Sequence, residues 1–418
     1  MKRCAILVTT GFPFAGGEPY LEAEIPVLAQ TFSRVLIFTI GLSPDRTAAL
    51  PLPENVTAYN CARGSRKLNR LRDLVCGLPT VFRLPEDLPA EDRREAGTSP
   101  ARRLFLGYFL SRVRRHTAEI AAVLSGTDLS AYDEVLVYGY WFFAAAACAV
   151  RLRPVLERRG ARKIRAISRA HGYDLYTYAN RLGYLPCRTA LLRSLDAVYP
   201  CSDDGAAYLA QRYPAFADKI HPAFLGTDGG VRTDGSDDGV FRILTCARTV
   251  PLKRLDLLAA ALRTLGADGP VEWTHIGDGP SLPALRKAAQ SFPAGVTARF
   301  TGALAHTDVL RFYRTHPVDL FVLVSSREGL PVSVMEALSF GVPAVVTDVG
   351  GCTEMVRDGE NGYVLPADVS VPALAETIRA ARTDGARMRD AAFDTWQSRF
   401  VARENYLRFV RQITTISP

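Results

Sequence analysis

Short apolar runs and helix-spaced apolar positions alternate along most of the chain. Residues 4–10 predict a buried strand, 11–17 a loop, 18–29 a helix and 35–40 a second strand. Strands separated by helices in this way predict a parallel sheet with crossover helices. Further strands are expected at 134–138, 163–168 and 197–200, then a helix over 203–212 and a short extended segment at 219–221. The stretch 226–239, GTDGGVRTDGSDDG, has turn chemistry and no apolar period, so it is expected to be a linker. The alternation then restarts, with strands at 241–247, 271–276, 297–301, 319–324 and 343–347 and helices at 253–265, 281–290, 306–315 and 331–340 between them. A last helical run over 387–414 contains Phe393, Trp396, Phe400, Tyr406 and Phe409.

This pattern predicts the α/β class, with two doubly wound domains over 1–225 and 241–392. A linker at 226–240 joins them, and 393–418 is expected to be a helix returning to the first domain. Two such domains facing each other would leave a central cleft at the carboxyl ends of their strands, where ligands of this architecture bind.

The periodicity blurs over 43–116, which is rich in Pro and Arg and includes ARGSRKLNRLR at 62–72. Within it, 101–116 sets Leu104, Phe105, Tyr108, Phe109 and Val113 near one helical face, with Arg102, Arg103, Arg112, Arg114 and Arg115 at its ends. Such a helix can lie on an anionic membrane or pack on its own domain. The uncharged stretch 135–150 is interrupted by Gly139 and is expected to be a strand and a core helix, not a membrane span. The six-residue apolar run from Ala5 to Thr10 is too short for a signal-peptide core.

Composition narrows the reading. In 418 residues, 48% are hydrophobic and 22% charged, which permits a large core and excludes wholesale disorder. The net charge of +8 is uneven: residues 1–200 hold 28 basic against 18 acidic side chains, and the rest hold 23 against 25. The basic first half suits an anionic partner such as a membrane surface or a phosphate-bearing substrate. Eight scattered cysteines lack metal or redox spacing and are expected to be reduced core residues, which implies a cytoplasmic location.

The strongest chemical signal is SSREGLPVSVMEALSFGVPAVVTDVGG at 325–351, directly after the apolar strand DLFVLV. Glu328 lies in the loop and Glu336 in the helix that Leu330 and Pro331 begin. The amides of residues 330–333 at that helix start suit an anion or sugar hydroxyls, and Glu336 tilts back toward the same ligand. A second signal, ARTVPLK at 247–253, sets Arg248 and Lys253 just past a strand, two cations able to clamp a pyrophosphate. A third, IGDGP at 276–280, is a strand, turn and helix start. Gly16 and Gly17 open a loop where a backbone could approach a phosphate. His171, in SRAHGYDLY with Arg169 and Asp174, follows a strand. No Asp-x-Asp triplet or His/Cys cluster offers a metal site, so no cofactor or metal is expected.

The frame S-x-x-E-G-L-P…E-A…G-x-P, with Arg-x4-Lys and G-D-G-P preceding it, resembles the family 4 (GT4) retaining glycosyltransferases of the GT-B fold. The resemblance covers the C-terminal half and, more loosely, the first strand, loop and helix. It implies that Glu328 contacts donor-sugar hydroxyls, Glu336 holds the nucleotide ribose, and Arg248 and Lys253 neutralise the diphosphate. It assigns donor contacts to Gly16, Gly17, Gly277, Asp278, Gly279, Gly302, Gly329, Leu330, Pro331, Val332 and Ser333, and puts His171 near the donor sugar. The implied activity is metal-independent transfer from a nucleotide-sugar donor to a glycan or polyprenyl-linked acceptor in exopolysaccharide, capsule or lipopolysaccharide assembly, at the inner face of the plasma membrane. A GT-B nucleotide-sugar epimerase or a non-catalytic nucleotide-sugar binder would share the same pocket. Six lysines, none in a pyridoxal-type setting, argue against a phosphorylase, and the basic residues match no nucleic-acid reader.

Overall fold

The computed structural model describes residues 1–14, 18–47 and 50–415, so Gly16 and Gly17 lie outside the described residues. The chain forms two compact units, one of Met1–Phe224 with Tyr406–Pro418 and one of Leu225–Asn405.

The first unit is built on six parallel strands: β1 (Arg3–Thr9), β2 (Arg34–Thr39), β3 (Val56–Asn60), β4 (Glu134–Gly139), β5 (Ile164–Ala170) and β6 (Ala197–Pro200). Their order is β3-β2-β1-β4-β5-β6. The second unit contains β7 (Phe241–Cys246), β8 (Val271–Ile276), β9 (Val296–Gly302), β10 (Leu320–Leu323), β11 (Ala344–Thr347) and β12 (Gly362–Leu365), in the order β12-β11-β10-β7-β8-β9. Counted from its own first strand, this sheet has the same order as the other. In both, the direction of winding reverses at the first strand, and ligand-binding loops gather beyond the carboxyl ends at such a switch point.

The unpatterned 43–116 region is mostly helical: Arg66–Gly77, Pro79–Phe82, Ala90–Gly97 and Pro100–Val123. The last buries Leu106, Phe109, Val113 and Ile120, while Arg102 donates to the Leu182 carbonyl and Arg115 pairs with Asp73 at 2.7 Å. Of the two readings of 101–116, packing on its own domain is therefore the one observed. Cys76 is exposed, unlike the core position expected of it, and all eight cysteines are free thiols. No helix among the described residues is long and apolar enough to cross a membrane.

The stretch 226–240 is tied into the second unit. Thr227 exchanges backbone bonds with Phe400 and Ala402, Trp396 donates its indole N–H to Thr227 Oγ1, and Ser236 N–H donates to Asp319. That pairing accounts for the break in the expected 387–414 helix, which is two helices, Val371–Arg399 and Ala402–Thr415. At Val401 the chain leaves helical geometry to pair beside Thr227.

In the first unit a charged pair sits at the centre of the core. Arg169 and Glu24 are both fully buried, with Arg169 Nε 3.3 Å from Glu24 Oε2. Tyr138 donates to Glu24 Oε1 at 2.9 Å, and Arg169 Nη1 donates to the Ala223 carbonyl at 2.7 Å. The guanidinium lies 4.1 Å from the Phe409 ring centre, so one cation joins helix Leu21–Thr31, the segment after β6 and the C-terminal helix. Burial pushes the Glu24 carboxyl up and Arg169 opposes it.

In the second unit, loops after β7, β8 and β9 are stitched together. Gly277 N–H donates to the Gly302 carbonyl and Thr249 N–H to the Asp278 carbonyl. A Cβ on Gly277 would fall 1.8 Å from the Ala247 carbonyl oxygen, and one on Gly279 would fall 2.4 Å from that of Thr249. Only glycine permits this approach. Beneath the loops His275 bridges Thr245 Oγ1 (2.8 Å) and Thr249 Oγ1 (3.0 Å), and Trp273 donates to Thr245. Burial pulls the His275 pKa down to about 4, so the ring is neutral near pH 7.

Two outcomes follow from these cores. Arg169→Met should cost the first unit about 3–5 kcal/mol by leaving Glu24 unpaired, and Glu24→Met added to it should recover much of that loss in denaturant titrations. For His275, the unfolded ring binds a proton at higher pH than the folded one. Stability should therefore fall as pH drops from about 6.5 to about 4, by on the order of 3 kcal/mol, and His275→Gln should flatten that segment of the stability profile.

Candidate active site

The stitched loops of the second unit present the expected cations. Arg248 is exposed just past β7, and its guanidinium has no partner among the described residues. Lys253 ends a short 3-10 turn, Pro251–Lys253, and its ammonium contacts Glu328 Oε1 at 2.6 Å. Both side chains are largely buried, at 17% and 11% exposed. The structure thus brings Lys253 and Glu328 together from either side of β10 in sequence.

The neighbouring Arg254, which the sequence reading passed over, fixes that meeting. It adopts a left-handed φ of 47°, and its guanidinium donates to the carbonyls of Val324, Ser325 and Ala367. Ser326 N–H donates to the Leu252 carbonyl, so the loops after β7 and β10 are held by backbone and side chain alike. Gly350 supports the other side: a Cβ there would lie 2.3 Å from the Glu328 carbonyl oxygen, and Gly351 N–H donates to Gly329. The only sequence signal for these supports was the dipeptides Lys253-Arg254 and Gly350-Gly351.

The helix after Glu328 runs Val332–Ser339, starting one residue later than expected. Pro331 is its N-cap and has no N–H, so it can donate nothing; the donors at this end are Leu330, Val332 and Ser333. No side chain caps the helix, and Val334 N–H already bonds the Pro331 carbonyl. Glu336 is 6% exposed, and its Oε1 is 3.0 Å from His306 Nε2, a partner absent from the sequence reading. Burial keeps the nearby Cys246 thiol protonated, with the Glu336 charge acting in the same direction. Asp278 is exposed and turns its own carboxylate onto Gly279 N–H, while Gly302 holds φ 76°. Among the described residues no three His, Cys, Asp or Glu side chains converge as a metal site.

The first unit carries its own polar group beyond β1, β4 and β5. Glu18, buried and unnoticed in the sequence, accepts from the N–H groups of Thr10 (2.9 Å), Gly11 (2.8 Å) and Phe12 (2.7 Å) and from the Trp141 indole. Asp174 accepts from His171 N–H (2.9 Å) and Phe142 N–H (2.8 Å). The His171 ring lies tilted against Trp141 and Tyr140, at 4.4 Å and 4.9 Å between centroids; its Nδ1 is 3.7 Å from Asp174 Oδ2, and neither ring nitrogen has a hydrogen-bond partner among the described residues. Arg169, expected beside it, is the core cation described above.

Residues 232–393 match the family model described as glycosyl transferases group 1. The O-antigen biosynthesis glycosyltransferase WbnH of Escherichia coli is 35% identical over 118 residues, 28% of this chain and 31% of that protein. The match therefore spans about a third of that relative's length. The GDP-mannose-dependent alpha-(1-6)-phosphatidylinositol monomannoside mannosyltransferase of Mycolicibacterium smegmatis is 29% identical over 295 residues, covering 62% of this chain and 72% of that one. Among solved structures, sucrose-phosphate synthase from Thermosynechococcus elongatus superposes with a TM-score of 0.70 at 18% identity over the whole of both chains, a likeness of fold. Residues 232–393 thus carry the match to the glycosyl transferases group 1, and the two doubly wound sheets have the GT-B fold of the solved glycosyltransferase structures.

Proposed function

We propose that this protein is a retaining glycosyltransferase, moving a sugar from a nucleoside-diphosphate sugar to a hydroxyl of a glycan or polyprenyl-linked acceptor in bacterial polysaccharide assembly. The observation that carries the reading is the grouping at the carboxyl edge of the second sheet: the Lys253–Glu328 pair, the unpartnered Arg248 and the uncapped helix start at Val332. The named relatives, an O-antigen glycosyltransferase and a mannosyltransferase acting on a phosphatidylinositol mannoside, support the acceptor class.

In this reading Arg248, Lys253 and the amides of Val332 and Ser333 stabilise charge that develops on the departing diphosphate. Lys253 is shared between that diphosphate and Glu328, whose carboxylate is turned to the donor-sugar hydroxyls. Glu336, held by His306, receives the ribose hydroxyls. The bond from the sugar's anomeric carbon to the diphosphate breaks as the bond to the acceptor oxygen forms on the same face, and the acceptor proton passes to the departing phosphate oxygen. Protein cations supply the neutralising charge, so turnover needs no divalent metal. His171, its imidazole packed against Trp141 and beside the Asp174 carboxylate, is assigned to the donor sugar, and Gly16 and Gly17 to its phosphates. The site of action is the cytoplasmic side of the membrane, where the acceptor is anchored.

Three measurements test this reading. One of UDP-, GDP-, ADP- or dTDP-sugars, at 100 times its dissociation constant and with chelator present, should stabilise the protein by about 2.7 kcal/mol in a thermal-shift titration. Slow release of the matching nucleotide should accompany it and vanish in Glu328→Ala; an epimerised donor would instead indicate the epimerase reading. Arg248→Ala should lower kcat about 100- to 1,000-fold with the melting temperature unchanged, since the side chain is exposed and unpaired. If no nucleotide sugar shifts the protein, the donor pocket is misassigned.

A further inference from the structure

The helices Arg66–Gly77 and Pro79–Phe82 are inverted relative to ordinary surface helices. Their buried side carries Asp73, 1% exposed and bonded to Arg115, and Gly77, whose backbone meets that of Gly107 so closely that a Cβ would fall 2.5 Å from it. Their outer side carries Leu68, Leu71, Val75, Leu78 and Phe82, exposed by 67, 58, 55, 44 and 85%. The spacing of three, four, three and four residues keeps all five on one helical face. A domain helix buries its apolar stripe; this one presents it to solvent and anchors itself through a glycine and an ion pair. Such a contiguous apolar face marks an interaction site.

The charge around the stripe identifies the occupant. Lys67 and Arg72 are exposed on the two flanks of the stripe and Arg63 is exposed ahead of the helix, whereas Arg66 and Arg70 lie on the side that faces Tyr108 and Arg112; the one acid between residues 62 and 83, Asp73, is buried and neutralised by Arg115. A second copy of the chain would set these cations against each other with no acid to offset them. A bilayer rich in anionic lipid meets both demands, since it accepts the apolar face among its acyl chains and the cations at its headgroups.

We propose that residues 63–82 are a docking surface for an anionic lipid bilayer. This carries further the reading that the acceptor is lipid-linked, but it uses no residue of the donor site. The surface differs from the 101–116 helix that the sequence offered for the same role: that helix is the support on which the docking helix is mounted.

The test is co-sedimentation of the full chain with vesicles of phosphatidylcholine alone and with about a third phosphatidylglycerol. Partition should require the anionic lipid and weaken as salt is raised. Leu71→Ser/Val75→Ser/Phe82→Ser and, separately, Lys67→Glu/Arg72→Glu should each reduce it at least about tenfold. Both sets lie on exposed positions, so melting temperature and nucleotide-sugar thermal shift should stay at wild-type values. A fluorophore on Cys76, the exposed cysteine within this helix, should shift to the blue on adding anionic vesicles. The proposal is overturned if wild type ignores anionic vesicles, if the serine variant binds them as wild type does, or if light scattering shows a dimer that the serine variant dissolves. A protein that docks on vesicles yet binds no nucleotide sugar would retain this inference and refute the donor reading.

Discussion

Beyond the carboxyl edge of a parallel sheet, backbone amides have no ladder partner, yet the loops there must be held still if they are to grip a ligand. The two units meet this demand with different chemistry. In the first, buried carboxylates take up the amides: Glu18 receives three and Asp174 two. In the second, backbone receives backbone across the loops, through glycines set so close to neighbouring carbonyls that no side chain would fit, beside one local carboxylate contact from Asp278 to the Gly279 N–H. A carboxylate places negative charge in its loop, whereas a glycine contact places none. The second unit's loops therefore leave Arg248 open, beside a Lys253 held by Glu328.

Pairing also decides which charges are available. Glu328 and Glu336 are both largely shielded from water and each already has a cationic or imidazole partner. Carboxylates held this way retain their orientation without a ligand, so binding need not order them first. The same logic governs the core cation Arg169, whose position is overdetermined by Glu24, Ala223 and Phe409.

The strand and helix alternation was legible because both sheets are parallel and buried, which leaves uninterrupted apolar runs such as CAILV and LFVLV. The site cations and glutamates were legible because they sit at fixed short spacings after those runs. Their supports were not. Arg254, His275 and Gly350 act through contacts between segments separated by up to about a hundred residues, and nothing local marks a histidine destined for two threonine hydroxyls. Residues 43–116 failed for another reason: the outward-facing leucines of 66–82 give a periodic signal with the wrong sign for a domain helix. The helix expected over 387–414 broke because a strand-like pairing at Thr227 and Val401 competes with it, and that pairing joins residues over 170 positions apart.

The C-terminal helix has a consequence for the order in which the chain folds. Phe409 and Ile413 are buried in the first unit, and Arg3 and Arg165 both bond carbonyls of its last turn. A ribosome delivers residues 1–224 long before these arrive, so the nascent first unit waits with one side of its Arg169 guanidinium uncovered. The second unit, continuous from Leu225 to Asn405, has all its strands in hand first. Although it is encoded later, it is the half able to finish folding without the last segment of the chain.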